Sequence, residues 1–326
     1  MKAVACLAPG QLALIDRPEP APPGPGEALV AVAHVGICGT DYHIFQGKHP
    51  YLAYPRVMGH EVSGTVLAVG EGVALAPGAT VIVNPYIACG TCVACRQGKP
   101  NCCTAIAVLG VHRDGAMCER IVVPAANLYP TDGLSLRDSA AVEFLAIGAH
   151  AVRRSLAGTG TPALVIGAGP IGLGTALFAR IAGQTVTLAD TSSERLDMAE
   201  GLGFAVADRL HATADGYGVV YDATGSAASM QTAFGMVAHG GALVLVSVVA
   251  ADITFSDPEF HKREMMLIGS RNALAGDFAH VAGAILAGTV PMDQIFTHRT
   301  TLTDAPRDIA HWAADKSGLI KALIDV

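Results

Sequence analysis

Apolar and polar positions along the chain fall into two regimes. In the first third, short apolar runs are broken by proline and glycine. Pro18 to Pro25 cannot be helix and reads as a loop into Ala28-Leu29-Val30-Ala31-Val32-Ala33, a buried strand. Val62, Gly64, Val66, Val69 and Gly70 continue as strand and turn material of a small β-rich domain. Later, apolar runs alternate with helical stretches. Pro162-Ala163-Leu164-Val165-Ile166 predicts a parallel strand, the stretch to about Ala182 a helix, and Thr185-Val186-Thr187-Leu188-Ala189 the next strand. Val219-Val220-Tyr221, a helix near Ala227–Met236 and Leu243-Val244-Leu245-Val246 repeat the unit, and the tail from Asp304 reads helix then strand. This alternation predicts an α/β fold with a doubly wound parallel sheet. Between Gly203 and Val219 the chain is short for a full strand–helix unit, so a crossover helix is expected to shrink to a turn there.

The chain's 326 residues favour two domains, and 51% hydrophobic against 15% charged residues favours extensive cores. A formal net charge of −7 argues against nucleic acid or an anionic membrane as the main partner. Met1-Lys2-Ala3-Val4-Ala5-Cys6 lacks the apolar run of a signal peptide, and proline and glycine interrupt before any membrane-length segment forms. The eight cysteines concentrate in one region instead of spreading as a disulfide framework. A cytoplasmic metal-binding enzyme with a small-molecule substrate is the expectation.

Met58-Gly59-His60-Glu61 could offer a metal one imidazole and one carboxylate, and Gly59 suggests a tight backbone approach. Alone, such a pair reads first as a solvated strand end, and it is the other segments that reverse this. Upstream, Cys38 lies between Gly36 and Gly39 and could add a thiolate. Cysteine, histidine and carboxylate with one position left open is the donor set of a catalytic zinc site. Thr40 is placed to hydrogen-bond the substrate oxygen at such a metal, and His43 to pass a proton outwards. Cys89, Cys92 and Cys95, followed by Cys102-Cys103, predict a closed tetrahedral zinc site in which either of the last two could be the fourth ligand. Gly167-Ala168-Gly169-Pro170-Ile171-Gly172 sits between a predicted strand and helix, with Asp190 ending the next strand. That context predicts a dinucleotide site: glycines admit the pyrophosphate to the helix start, Pro170 suits the first helical turn, and Asp190 accepts from the ribose hydroxyls. A carboxylate there repels a 2′-phosphate, so NAD is expected over NADP.

These motifs run in one order over most of the chain and resemble those of the zinc-dependent medium-chain dehydrogenase/reductase superfamily, the alcohol dehydrogenase family. The resemblance implies a GroES-like catalytic domain from 1–145 and 292–326, with a structural zinc lobe at about 88–104, and a Rossmann NAD-binding domain over 146–291. It implies catalytic zinc at Cys38, His60 and Glu61, a proton relay through Thr40 and His43, and Cys103 as the fourth structural ligand. Glu143 stands where horse-liver-type enzymes carry a cysteine ligand and the sorbitol dehydrogenase branch carries a glutamate, beside the metal or on it. Thr224 and Val246 fall on segments that line the cofactor cleft. Arg271 and Asn272 match the polyol and sugar-acid branch, where the arginine holds substrate hydroxyls; a guanidinium fork can also hold a carboxylate. The expected activity is NAD-dependent oxidation of a secondary alcohol on a polyol, sugar or sugar acid, by a homodimer or homotetramer. A simple alcohol, aldehyde or L-threonine dehydrogenase is the nearest rival. A nucleotide-binding relative without chemistry is another, disfavoured because the catalytic ligands are all present. His112 and Arg113 could face substrate or simply form a polar loop.

Overall fold

A computed structural model describes residues 1–49, 52–210 and 215–326. The chain divides into two compact units, Met1–Glu143 with Ala282–Val326, and Phe144–Val281.

The first unit is built on a sheet whose strands run in the order Leu128–Pro130, Thr80–Val83, Glu61–Val69, Glu27–Ile37, Lys321–Asp325, Phe296–Thr301, with Arg120–Pro124 also paired to Glu27–Ile37. All of these pairings are antiparallel except the last, Lys321–Asp325 with Phe296–Thr301. Val30, Val32, Val35, Val62 and Val66 pack with Ile309 and Trp312 of helix Ala305–Ala314 in one buried core. β-branched residues suit this pleated surface. The register positions the chemistry. Gly36 pairs with Glu61 on one side and with Leu323 on the other, and Ile37 pairs with Ala322. The exit of one strand at Cys38 therefore meets the entries of two others, at His60-Glu61 and at Lys321. Gly36 needs its missing side chain, because a Cβ there would collide with the Glu61 carboxyl. Gly59, at φ +95°, could not carry one either: Met117 and Val35 would lie within 2.9 Å of it.

The second unit is a six-stranded parallel sheet in the order Ala205–Ala207, Thr185–Ala189, Pro162–Ile166, Tyr217–Asp222, Val237–Leu245, Met266–Gly269. With helices Pro170–Ile181, Ser193–Gly201 and Ala227–Ala233 between strands, this is the Rossmann order. Leu164, Ile166, Val220 and Leu243 pack in its core, as near-continuous apolar runs in buried parallel strands do. The fifth strand begins at Val237, earlier than its apolar run predicts, because the pairing continues through His239-Gly240-Gly241. The short segment after Gly203 supplies an edge strand at Ala205–Ala207. The expected loss of a crossover helix falls partly on residues 211–214, outside the described residues.

Candidate active site

Cys38, His60 and Glu61 each offer one ligand atom, and these three atoms lie within 4.8 Å of one another. Cys38 caps the short helix Gly39–Phe45, and its own N–H donates to Asp41 Oδ2 at 2.9 Å. Asp41 is fully buried, so it holds the cysteine backbone from the protein side. His60 ends the loop that enters strand Glu61–Val69, and Glu61 is the first residue of that strand. Whether these residues fit a metal can be read from their unmet bonds. His60 Nδ1 and Glu61 Oε2 are buried with no hydrogen-bond partner, and a buried acceptor without a partner is costly unless a cation satisfies it. Burial by itself would lower the His60 imidazole, but Cys38, Asp41 and Glu143 draw it well above its ordinary value. The same negative surroundings would attract a divalent ion. Cysteine, histidine and carboxylate together suit zinc.

Thr40 Oγ1 lies 3.9 Å from Cys38 Sγ. His43 is on the same short helix; burial, then the charges of Lys316 and Lys48, hold its imidazole below its ordinary value. Glu143 lies in the first turn of helix Val142–Ser155 and is only 3% exposed. It is not part of the three-ligand group. Its Oε1 accepts from the Tyr86 hydroxyl, and burial pushes its carboxyl up to about 7 against the lowering influence of His60.

Two residues of this site escaped the sequence reading. Lys321 Nζ donates to Glu61 Oε1 at 2.6 Å and to the Ile37 carbonyl at 3.2 Å, with the lysine side chain 1% and the glutamate 0% exposed. Burial works to lower this ammonium, but the charges of Glu61 and Cys38 leave it above its usual value. A lone lysine in Ile320-Lys321-Ala322-Leu323-Ile324 was the available signal, since charges in buried strands are paired when present. Tyr86 had none, because a tyrosine near a strand end reads as core.

Cys89, Cys92, Cys95 and Cys103 form a second group with all four sulfurs within 4.8 Å; Cys102 is outside it and exposed. Backbone N–H groups of Cys89 and Ala105 donate to Cys103 Sγ at 3.3 and 3.4 Å. Backbone donors also lower Cys92 to about 5 and Cys89 to about 7, which favours thiolates at those two positions, while burial and the neighbouring Cys92 sulfur push Cys95 up to about 12. The lobe is closed at its base by the ribbon Tyr86–Ile87 with Ala107–Val108.

In the Rossmann unit, Gly167 adopts φ +98°, and a Cβ on Gly172 would collide with the Gly167 carbonyl. Gly169 caps helix Pro170–Ile181, with Pro170 in its first turn and Ile171 next. The loop thus presents a bare backbone at a helix start, a cradle for a pyrophosphate. Asp190 Oδ2 accepts from Ala168 N–H at 2.7 Å and Oδ1 from Ser192 N–H at 2.9 Å, so the carboxylate braces the glycine loop. Buried Asp222 accepts from Thr224 Oγ1 at 2.7 Å, and its carbonyl accepts from Val246 N–H at 2.9 Å. Arg271 and Asn272 follow the edge strand Met266–Gly269; Arg271 is exposed and Asn272 has φ +53°. His112 Nδ1 accepts from Val108 N–H at 3.1 Å, and His112 and Arg113 are both exposed.

Comparison with known proteins agrees with this layout. Residues 24–133 match the Alcohol dehydrogenase GroES-like domain family, and residues 170–287 the Zinc-binding dehydrogenase family. The chain is 40% identical to L-galactonate-5-dehydrogenase of Escherichia coli K12, over 99% of this chain and 98% of that one. A solved structure of a short chain alcohol dehydrogenase from Escherichia coli CFT073, complexed with NADH, superposes with a TM-score of 0.94 at 30% identity, covering 100% of this chain and 99% of the other. A zinc-binding dehydrogenase from Sinorhizobium meliloti, bound to NADP, does so with a TM-score of 0.90 at 30% identity over the same shares.

Proposed function

Because the chain belongs to the zinc-binding alcohol dehydrogenase family, we propose that it oxidises a secondary hydroxyl of a polyol, sugar or sugar acid with NAD as hydride acceptor. The observation that carries this reading is the Cys38–His60–Glu61 group, with unmet acceptors on buried His60 and Glu61, on a chain 40% identical to a sugar-acid dehydrogenase. Cys38, His60 and Glu61 would hold a catalytic zinc; when bound, it lowers the pKa of the substrate hydroxyl towards neutrality. Lys321 balances the Glu61 charge from behind, and Asp41 fixes the Cys38 backbone. The hydroxyl proton passes to Thr40 Oγ1 and then to His43, whose depressed basicity leaves it neutral and able to accept at pH 7. NAD supplies the electron sink for the hydride. Gly167, Gly169, Pro170, Ile171 and Gly172 cradle its pyrophosphate, Asp190 takes the ribose hydroxyls, and Thr224 and Val246 line the nicotinamide side. Relatives include NADH and NADP binders, and the Asp190 carboxylate favours NAD here. Arg271 and Asn272 hold substrate oxygens. Cys89, Cys92, Cys95 and Cys103 hold a second, structural zinc.

No helix among the described residues is long and apolar enough to cross a membrane, and we place the enzyme in the cytoplasm. A homodimer or homotetramer is supported by the edge strand Met266–Gly269, which leaves Met266 and Leu267 43% and 41% exposed for a second copy.

The test is NADH formation by zinc-replete protein on L-galactonate, polyols, other sugar acids, simple alcohols and L-threonine, with NADP in parallel and a chelated control. Chelator-sensitive, NAD-linked turnover on sugar acids or polyols is expected. Turnover confined to simple alcohols or to L-threonine would overturn the substrate class, and a preference for NADP would overturn the role of Asp190.

A further inference from the structure

We propose that the Tyr86 hydroxyl is a positioning group that holds the Glu143 carboxylate off the catalytic metal, so that the fourth coordination position stays open to substrate. The inference rests on the zinc reading above and goes beyond it. A carboxylate beside a cation with a free position would ordinarily bind it. Cysteine, histidine and two glutamates would then close the tetrahedron, as a structural site is closed. Something must therefore occupy Glu143.

The geometry shows what does. Glu143 is outside the group whose ligand atoms approach within 4.8 Å, and its Oε1 accepts from Tyr86. Both side chains are buried, Tyr86 at 8% exposure, so water does not compete for the bond. Nor can the hydroxyl drift towards the metal with its acceptor, because the Tyr86 backbone is pinned on both sides. Its N–H donates to Asn84 Oδ1 at 3.0 Å, and its carbonyl accepts from Asn127 Nδ2 at 3.1 Å. Asn84 in turn donates from Nδ2 to the Tyr129 hydroxyl at 2.9 Å. Two asparagines and a second tyrosine thus fix the backbone that carries the Tyr86 side chain, a rigid support of the kind that orients groups around a metal. The strand bearing Tyr86 is paired with Ala107–Val108 across the base of the cysteine lobe, which fixes it further.

Tyr86→Phe removes one oxygen and little else. In zinc-loaded full-length protein, zinc release to a chromogenic chelator should show two phases, and Cys38→Ser identifies the catalytic one by abolishing it. In Tyr86→Phe the catalytic phase should slow by about tenfold or more, the range over which partners around metal ligands act. Over the same change kcat should fall, with the structural phase and the thermal midpoint unmoved. A merely structural tyrosine would move the release rate the other way, loosening the metal as activity falls. Adding Glu143→Gln to Tyr86→Phe should restore the wild-type release rate, because a neutral amide is a poor zinc ligand. Glu143→Gln alone should leave release unchanged, and this arm needs no substitution at Tyr86. Unchanged or faster catalytic-zinc release in Tyr86→Phe, or severalfold faster release in Glu143→Gln, overturns the proposal and leaves the zinc site standing. A release profile that Cys38→Ser does not alter sinks the metal assignment itself, and this inference with it.

Discussion

Lys321→Met isolates the most deeply buried ion pair of the site. Methionine keeps nearly the length and volume of the lysine stem, so packing changes little and the charge is what disappears. Glu61, 0% exposed, then keeps a carboxylate that has lost its 2.6 Å ammonium partner. Removing one member of a buried pair costs about 3–5 kcal/mol, because the other charge is stranded in low dielectric. With a urea slope near 2 kcal/mol per molar, the unfolding midpoint of chelated protein should fall by roughly 1.5–2.5 M. Two controls make the attribution specific. Glu61→Gln added to Lys321→Met should recover most of the loss, since the stranded charge is gone. In zinc-loaded protein the loss should be smaller, since a cation on Glu61 substitutes for the missing ammonium. A midpoint shift under about 0.5 M, equivalent to roughly 1 kcal/mol, or a double variant no more stable than Lys321→Met alone, would refute the reasoning.

Cys103→Ser should leave the purified protein with one zinc fewer per chain by metal analysis, whereas Cys102→Ser, outside the four-sulfur group, should retain both; equal losses would mean the lobe is wrongly drawn. Asp190→Ala should raise the KM for NAD by roughly ten- to a hundredfold, the value of a charge-assisted hydrogen bond, and narrow the preference over NADP; an unchanged cofactor ratio in steady-state kinetics would contradict the ribose role. In the Rossmann unit, Asp277 accepts from Arg153 Nε at 2.7 Å and from Leu274 N–H at 2.8 Å, with His150 Nδ1 2.8 Å away. Burial opposes ionisation, but the bonds from His150, Arg153 and Leu274 hold the carboxyl well below its ordinary value. A depressed folded value gives stability that is complete above the unfolded pKa of about 4 and drains away as pH falls below it. Asp277→Asn should therefore be less stable than wild type at pH 7, with the two urea midpoints converging between about pH 5 and pH 2; parallel curves would contradict it.

What the sequence revealed follows from how local each signal is. Cys38, His60-Glu61 and the four lobe cysteines are rare residues at short spacing, and the strand–glycine–helix unit at Gly167 carries its own context. The register of Gly36 against Glu61 and Leu323 is not local: nothing near Cys38 says which strand arrives beside it. Lys321 is 260 residues from its carboxylate, and Tyr86 is 57 from Glu143, so neither pairing has a period to read. Thin pieces of sheet were hidden for another reason. Ala205–Ala207 is three small residues, none fully buried, and His239-Gly240-Gly241 breaks the apolar run although strand pairing passes through it.

The strand Lys321–Asp325 lies between Glu27–Ile37 and Phe296–Thr301, while the whole of Phe144–Val281 belongs to the other unit. This interleaving imposes an order on synthesis. At a translation rate of about 5–20 residues per second, Glu61 is made roughly 13–52 s before Lys321 exists. Through that interval Arg120–Pro124 can cover Glu27–Ala31, but the His34–Ile37 end of the strand, where Lys321–Asp325 will pair, has no partner on that side, and an unpaired edge is open to the wrong neighbour. The Rossmann unit, contiguous in sequence, has all its strands well before then. A nascent chain paused ahead of residue 321 would thus hold one finished unit and one waiting sheet, and the quality of the zinc site would be decided by how well that sheet is shielded until the strand Lys321–Asp325 arrives.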